Sequence, residues 1–153
     1  MHLQHIRSHE LAEAAGVPLH GLFGLLAALP KPEPGDDLGY RPEPDDEAVA
    51  TIAEARGFDL AAEITADDAG RTMLDSVFIA TQSVVGEWWE LPAPIEGPHG
   101  IQVTPTYVSS RPTLPGDMVD AGEHGVFACT AEGWHQLSER AAARCQAAWA
   151  RQH

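Results

Sequence analysis

Apolar residues return at intervals of three and four along 8–29, 46–56, 66–90 and 138–151, and at intervals of two after residue 100. In the first stretch, Leu11, Ala14 and Ala15 precede Leu22, Leu25, Leu26 and Leu29. This spacing predicts two short helices, opened by the N-capping hydroxyl of Ser8, parted at Gly16 and stopped by Pro30. A third helix is predicted over Asp46 to Arg56, capped by Asp45 or Asp46 and closed by Gly57. Thr65-Ala66-Asp67-Asp68 has the form of a capping box and opens the longest candidate, Ala66 to Glu90. Met73, Leu74, Val77, Phe78, Thr81, Val84, Val85, Trp88 and Trp89 keep helical phase there, so this helix is expected at the centre of the core. Its β-branched run from Val77 to Val85 leaves a strand as the rival. Met1 to Arg7 alternates and reads as extended.

After the turn-rich connector 91–100, Ile101, Val103 and the residues to Val108 predict a strand that Pro105 confines to an edge or bulge. Pro115-Gly116-Asp117 is a turn before Met118-Val119-Asp120, and Gly125–Thr130 with Trp134–Leu137 reads as a hairpin. A closing helix runs from a Ser138 cap to about Arg151, with Leu137, Ala141, Cys145 and Trp149 inward. The expected fold class is therefore α+β: an N-terminal helical part, a long central helix, and a small C-terminal antiparallel sheet with a closing helix. Residues 1–30 form a module and 31–46 a Pro- and acid-rich linker, stiff rather than floppy; 47–153 form the α+β domain.

The 8–29 segment resembles a helix-turn-helix. Ala12 stands where the helices touch, Gly16 in the turn, and Leu22 and Leu25 where the second helix packs back. The resemblance implies base reading by that second helix, and the residues depart from it. From Ser8 to Leu29 there is no Lys or Arg to neutralise phosphate, while Glu10 and Glu13 add repulsion. The exposed candidates Leu19, His20 and Phe23 suit a protein surface better than a DNA groove. Residues 115–134 are similar to small hairpins of phage tail, fibre and head proteins, which implies an architecture rather than an activity.

Charge sharpens this picture. The 153 residues carry a net charge of −14, with a pI near 4.7, so nucleic acid and anionic membrane are repelled and basic protein surfaces attracted. A hydrophobic fraction of 44% is enough for a core. Asn is absent and Lys31 is the single lysine, a codon bias expected of a GC-rich bacterium or its phage. His2, His5, Arg7, His9 and Glu10 interrupt any leader-like apolar run. No stretch approaches the ~20 apolar residues that span a bilayer. The expected location is the cytoplasm, or a virion if the chain is phage-encoded.

Candidate chemistry is sparse. Cys129 and Cys145 are too far apart for a CxxC site and are expected as buried free thiols. His2, His5 and His9 do not share a helical face if Ser8 is a cap. His99, His124 and His135, with Glu123, Glu132 and Asp117 near them, would hold a metal only if the strands converge, and their spacing matches no ligand motif. No Gly-x-Ser-x-Gly, His-Glu-x-x-His or phosphate-cradling loop is present. The reading that results is an acidic, non-enzymatic interaction protein: an adaptor, inhibitor or virion component without a cofactor. Its partner is another protein or a second copy, met through Leu19, His20 and Phe23 and through one of Trp88 and Trp89, adjacent rings that point to different faces. The alternatives are a helix-turn-helix transcriptional regulator and a small metal-dependent enzyme built on the β-region histidines.

Overall fold

The alternation of His2–Ile6 sends successive side chains to opposite faces, and this short segment becomes the middle strand of a sheet. The structure is a computed structural model. It describes residues 1–7, 46–68, 70–82, 86–109, 111–114, 116–130 and 133–153. In chain order the elements are β1 (His2–Ile6), α1 (Asp46–Glu54), β2 (Phe58–Thr65), α2 (Arg71–Ala80), β3 (Ile95–Glu96), β4 (Gln102–Pro105), β5 (Met118–Asp120), β6 (Val126–Thr130), β7 (Gly133–Gln136) and α3 (Glu139–Gln152). Short 3-10 turns lie at Trp88–Glu90, Pro98–Gly100 and Gly122–His124. The strand order is β3-β4-β2-β1-β5-β6-β7, with every neighbouring pair antiparallel.

Consecutive strand residues divide between two cores. Phe58, Met118, Val126 and Ala128 pack under α1 and α3. Leu3, Ile64, Val103, Val119 and Cys129 pack under α2 and Trp88. A bulge opposite Leu3 and Gln4 leaves Ala61 as an extra residue in β2, so Ala61 and Ala62 both enter the second core. Leu60-Ala61-Ala62-Glu63 are good helix formers held as strand by β1 and β4, since pairing on both sides outweighs propensity. Arg144 ties α3 to α1 through Glu47 and Glu54. Asp46 joins the start of α1 to the β7–α3 junction, accepting from Ser138 N at 2.7 Å and lying 2.9 Å from His135 Nε2.

Two parts of the expected α+β layout are corrected. There is no long central helix: β2 runs to Thr65, and α2 spans only Arg71–Ala80 from a Gly70 N-cap without a side-chain cap bond. Thr81 leaves helical geometry at φ −103° and ψ 18°, and its hydroxyl turns back onto Val77 O. Trp88 and Trp89 belong to a separate 3-10 turn, so their helical phase with Val77 was coincidence of spacing. Nor is the sheet small and C-terminal, because β1 and β2 lie at its centre. A strand within residues 58–65 was not expected, for want of a period of two there.

The closing helix does begin at the Ser138 cap, whose hydroxyl accepts from Ala141 N at 3.2 Å. Pro105 sits where β4 has β2 on one side only, since β3 opposes just Gln102 and Val103. The helix-turn-helix-like segment and the linker fall outside the described residues. Arg7 N donates to Gly57 O at 2.7 Å, which joins the end of β1 to the turn after α1. No helix among the described residues is long and apolar enough to cross a membrane.

At the end of α1 it is Arg56, at φ 59°, that takes the left-handed conformation. Gly57 is needed for close approach instead: a Cβ there would stand 2.3 Å from Ile52 Cγ2 and 2.8 Å from Ile52 O. Gly57→Ala should therefore cost about 1–3 kcal/mol, the usual range for overpacking. Urea unfolding measures it, and a loss below about 0.5 kcal/mol, the scatter of neutral surface changes, would show that the turn gives way.

Candidate functional site

Twelve residues, 106–117, connect β4 to β5, and most of the described buried polar side chains of the fold lie within or against this loop. Its start is set by Thr106, whose backbone N–H donates to Ala61 O at 3.0 Å and whose hydroxyl donates to Leu60 O. Its end is set by Asp117, which is 0% exposed. The Asp117 carboxylate accepts from Ile6 N at 2.8 Å, from Leu114 N at 2.7 Å, and from Arg111 at 2.7 and 2.6 Å. Arg111 also donates to Ile6 O at 3.0 Å, and Trp88 Nε1 donates to Arg111 O at 2.8 Å. A buried carboxylate is tolerable only when so many donors compensate it.

The middle of the loop is held by a chain of hydroxyls around His5. Thr81 Oγ1 lies 2.8 Å from Val77 O, which only accepts, so Thr81 donates there and accepts from Thr113 at 2.6 Å. Thr113 has then spent its proton and accepts from His5 Nε2–H at 3.2 Å. Nδ1 stands 2.9 Å from the Ser109 hydroxyl. That hydroxyl can donate to a bare Nδ1 or equally accept from a protonated one, so the bonds alone do not fix the charge of the ring. Desolvation by burial makes it neutral, pushing His5 from 6.5 down to about 4, with Asp117 opposing and Arg111 assisting.

Ser109, His5 and Asp117 are the residue types of a hydrolytic triad, but the arrangement is structural. His5 Nε2 is bonded to Thr113 and stands 3.8 Å from Asp117, whose oxygens are already committed to Arg111 and backbone. An imidazole held near pKa 4 is also a feeble base for a serine hydroxyl at neutral pH. What these bonds accomplish is a fixed loop. Among its described residues the exposed side chains are Tyr107 at 62%, Val108 at 63% and Leu114 at 48%. Tyr107 is held at φ 65°, an unusual conformation for a bulky residue. Leu91 is exposed beside Glu87 and Glu90, on the turn that Trp88 anchors to this loop.

Leu19, His20 and Phe23 lie outside the described residues. Trp88 is fully buried and Trp89 partly so, the two rings meeting edge to face at 6.1 Å. His99 and His124 are exposed on separate 3-10 turns, while His135 is engaged with Asp46. Among the described residues, no three His, Cys, Asp or Glu side chains are grouped to hold a metal ion. Cys129 and Cys145 are buried free thiols, each pushed up to about 12 mainly by burial, which keeps them protonated and inert.

Sequence reasoning missed Ser109, Arg111 and Thr113, weighed His5 only with His2 and His9 as a metal cluster, and took Asp117 only as a turn residue and a neighbour of the histidines. The only local signal was a long Ser-, Thr- and Arg-bearing loop between two strands. Against known proteins, no family model, no curated protein and no solved structure matches the chain.

Proposed function

We propose that this is a non-enzymatic protein-binding protein, and that the 106–117 loop is its docking element. One observation carries the reading: a buried network fixes a loop whose exposed side chains, among the described residues, are an aromatic and two aliphatics. Pre-ordering a contact loop removes an entropic penalty from association, and rigid aromatic anchors dominate interface energies. The strained Tyr107 backbone supports the same view, since such strain persists where the side chain is wanted in place.

The partner class follows from charge. Glu87 and Glu90 are exposed next to Leu91 in the turn that Trp88 joins to the loop, and the molecule as a whole carries −14. Arg7, Arg111, Arg140 and Arg144 each face an acid already. A protein surface with an apolar recess ringed by Lys or Arg is the complement.

Tyr107→Asn is the decisive variant, because asparagine tolerates the left-handed conformation. It should leave stability unchanged or raise it by up to about 1 kcal/mol, while weakening partner capture tenfold or more. The measurement compares proteins retained from native lysate by wild-type and Tyr107→Asn bait, with elution by salt. The reading stands if one retained protein is lost with the variant and released by salt. It fails if nothing is retained, or if the same protein stays on the variant bait.

A further inference from the structure

Away from the loop, α2 and the β6–β7 hairpin enclose an open groove of about 480 Å³, a volume suited to a small organic ligand. Its apolar wall is Leu74, Phe127 and Trp134. Its rim carries Arg71, His124 and Gln136. Two polar groups here are uncommitted. Trp134 is 9% exposed and lines the groove, yet among the described residues its indole N–H meets no acceptor. Lying against the groove, this donor is left to whatever fills it, water or ligand. By contrast, the fully buried indole of Trp88 is satisfied by Arg111 O. Arg71 is exposed and forms no ion pair among the described residues, in a chain with 23 acidic residues.

Both uncommitted groups can only donate, since an indole N–H and a guanidinium have no acceptor. One hydrogen of the Gln136 amide is given to His124 O at 3.4 Å, and the rest of that exposed group faces solvent. A ligand that satisfies this site must therefore be rich in acceptors, and the guanidinium favours a negative one. The Phe127 and Trp134 rings add a preference for a flat apolar body. We propose that this groove binds a small organic carboxylate, its oxygens facing Arg71 and the Trp134 N–H and its apolar body lying along Phe127, Trp134 and Leu74.

The test is a titration of the isotopically labelled full chain with 2-naphthoate, followed on the amide signals of the β6–β7 hairpin. Neutral 2-naphthalenemethanol serves as the matched control. Saturable shifts confined to the hairpin and the start of α2 are expected, with the alcohol binding at least tenfold more weakly. Arg71→Gln, at an exposed position, should weaken naphthoate about tenfold, as loss of a charge-assisted bond does. Trp134→Phe keeps a ring while deleting the N–H, and should weaken it several-fold. The proposal is overturned by absence of saturable shifts through the low millimolar range. It is equally overturned if Arg71→Gln binds like wild type, or if acid and alcohol bind alike.

Discussion

Asp117→Ala should destabilise the protein by about 3–5 kcal/mol. The range is that of a buried ion pair broken by removing one partner. Three donors lose their acceptor together: the Arg111 guanidinium, Ile6 N and Leu114 N. Ile6 belongs to the middle strand and Leu114 to the loop, so the damage joins both. Arg111 retains some access to water, which places the expectation toward the lower end. A second change, Arg111→Met on the Asp117→Ala background, should recover part of the loss by removing the orphaned charge. Urea unfolding with an unchanged slope reads both numbers. A loss below about 1 kcal/mol, the worth of an ordinary hydrogen bond, would mean that the carboxylate does not organise the loop.

Acid should weaken the fold through His5, and the sign follows from which state holds more protons. In the folded protein the imidazole stays neutral down to about pH 4, whereas in the unfolded chain it takes a proton near 6.5. Between those values the unfolded state binds the extra proton, so stability falls as pH falls. Its contribution is fully present above pH 6.5 and gone below about 4. Each pH unit in that window is worth about 1.4 kcal/mol, about 3 kcal/mol in total. His5→Gln keeps a hydrogen-bonding side chain without the titration. The variant should lose stability less steeply between pH 6.5 and 4, although less stable at pH 7. Equal slopes for the two proteins in urea melts across that window would exclude His5 as the acid-sensitive group.

Legibility in the sequence tracked how local each feature is. The closing helix was readable from Ser138 and the four-residue steps of Ala141, Cys145 and Trp149. The β6–β7 hairpin was readable because its two strands are neighbours in the chain. α2 was misjudged because the phase of Val77 happens to extend to Trp88 across a chain that turns at Thr81. β2 was missed because Leu60-Ala61-Ala62-Glu63 has no alternation, and its bulge puts both alanines on one face.

The candidate site was illegible for a different reason. His5 and Ser109 are 104 residues apart, and Ile6 and Asp117 are 111 apart. No local period connects them. A histidine in a short N-terminal stretch looks like a surface residue until the sheet places β1 between β2 and β5.

By itself, then, the chain's composition and spacing determined an anionic molecule with two inert thiols, a closing helix and a C-terminal hairpin, because charge is additive and those contacts lie close along the chain. Only the tertiary structure decided that the N-terminal strand is central, and that Asp117 and His5 turn a polar loop into a fixed apolar platform. Desolvation is the physical reason. Burying a carboxylate and an imidazole is unfavourable unless distant segments bring donors and acceptors to them, and which segments do so is a property of the sheet order.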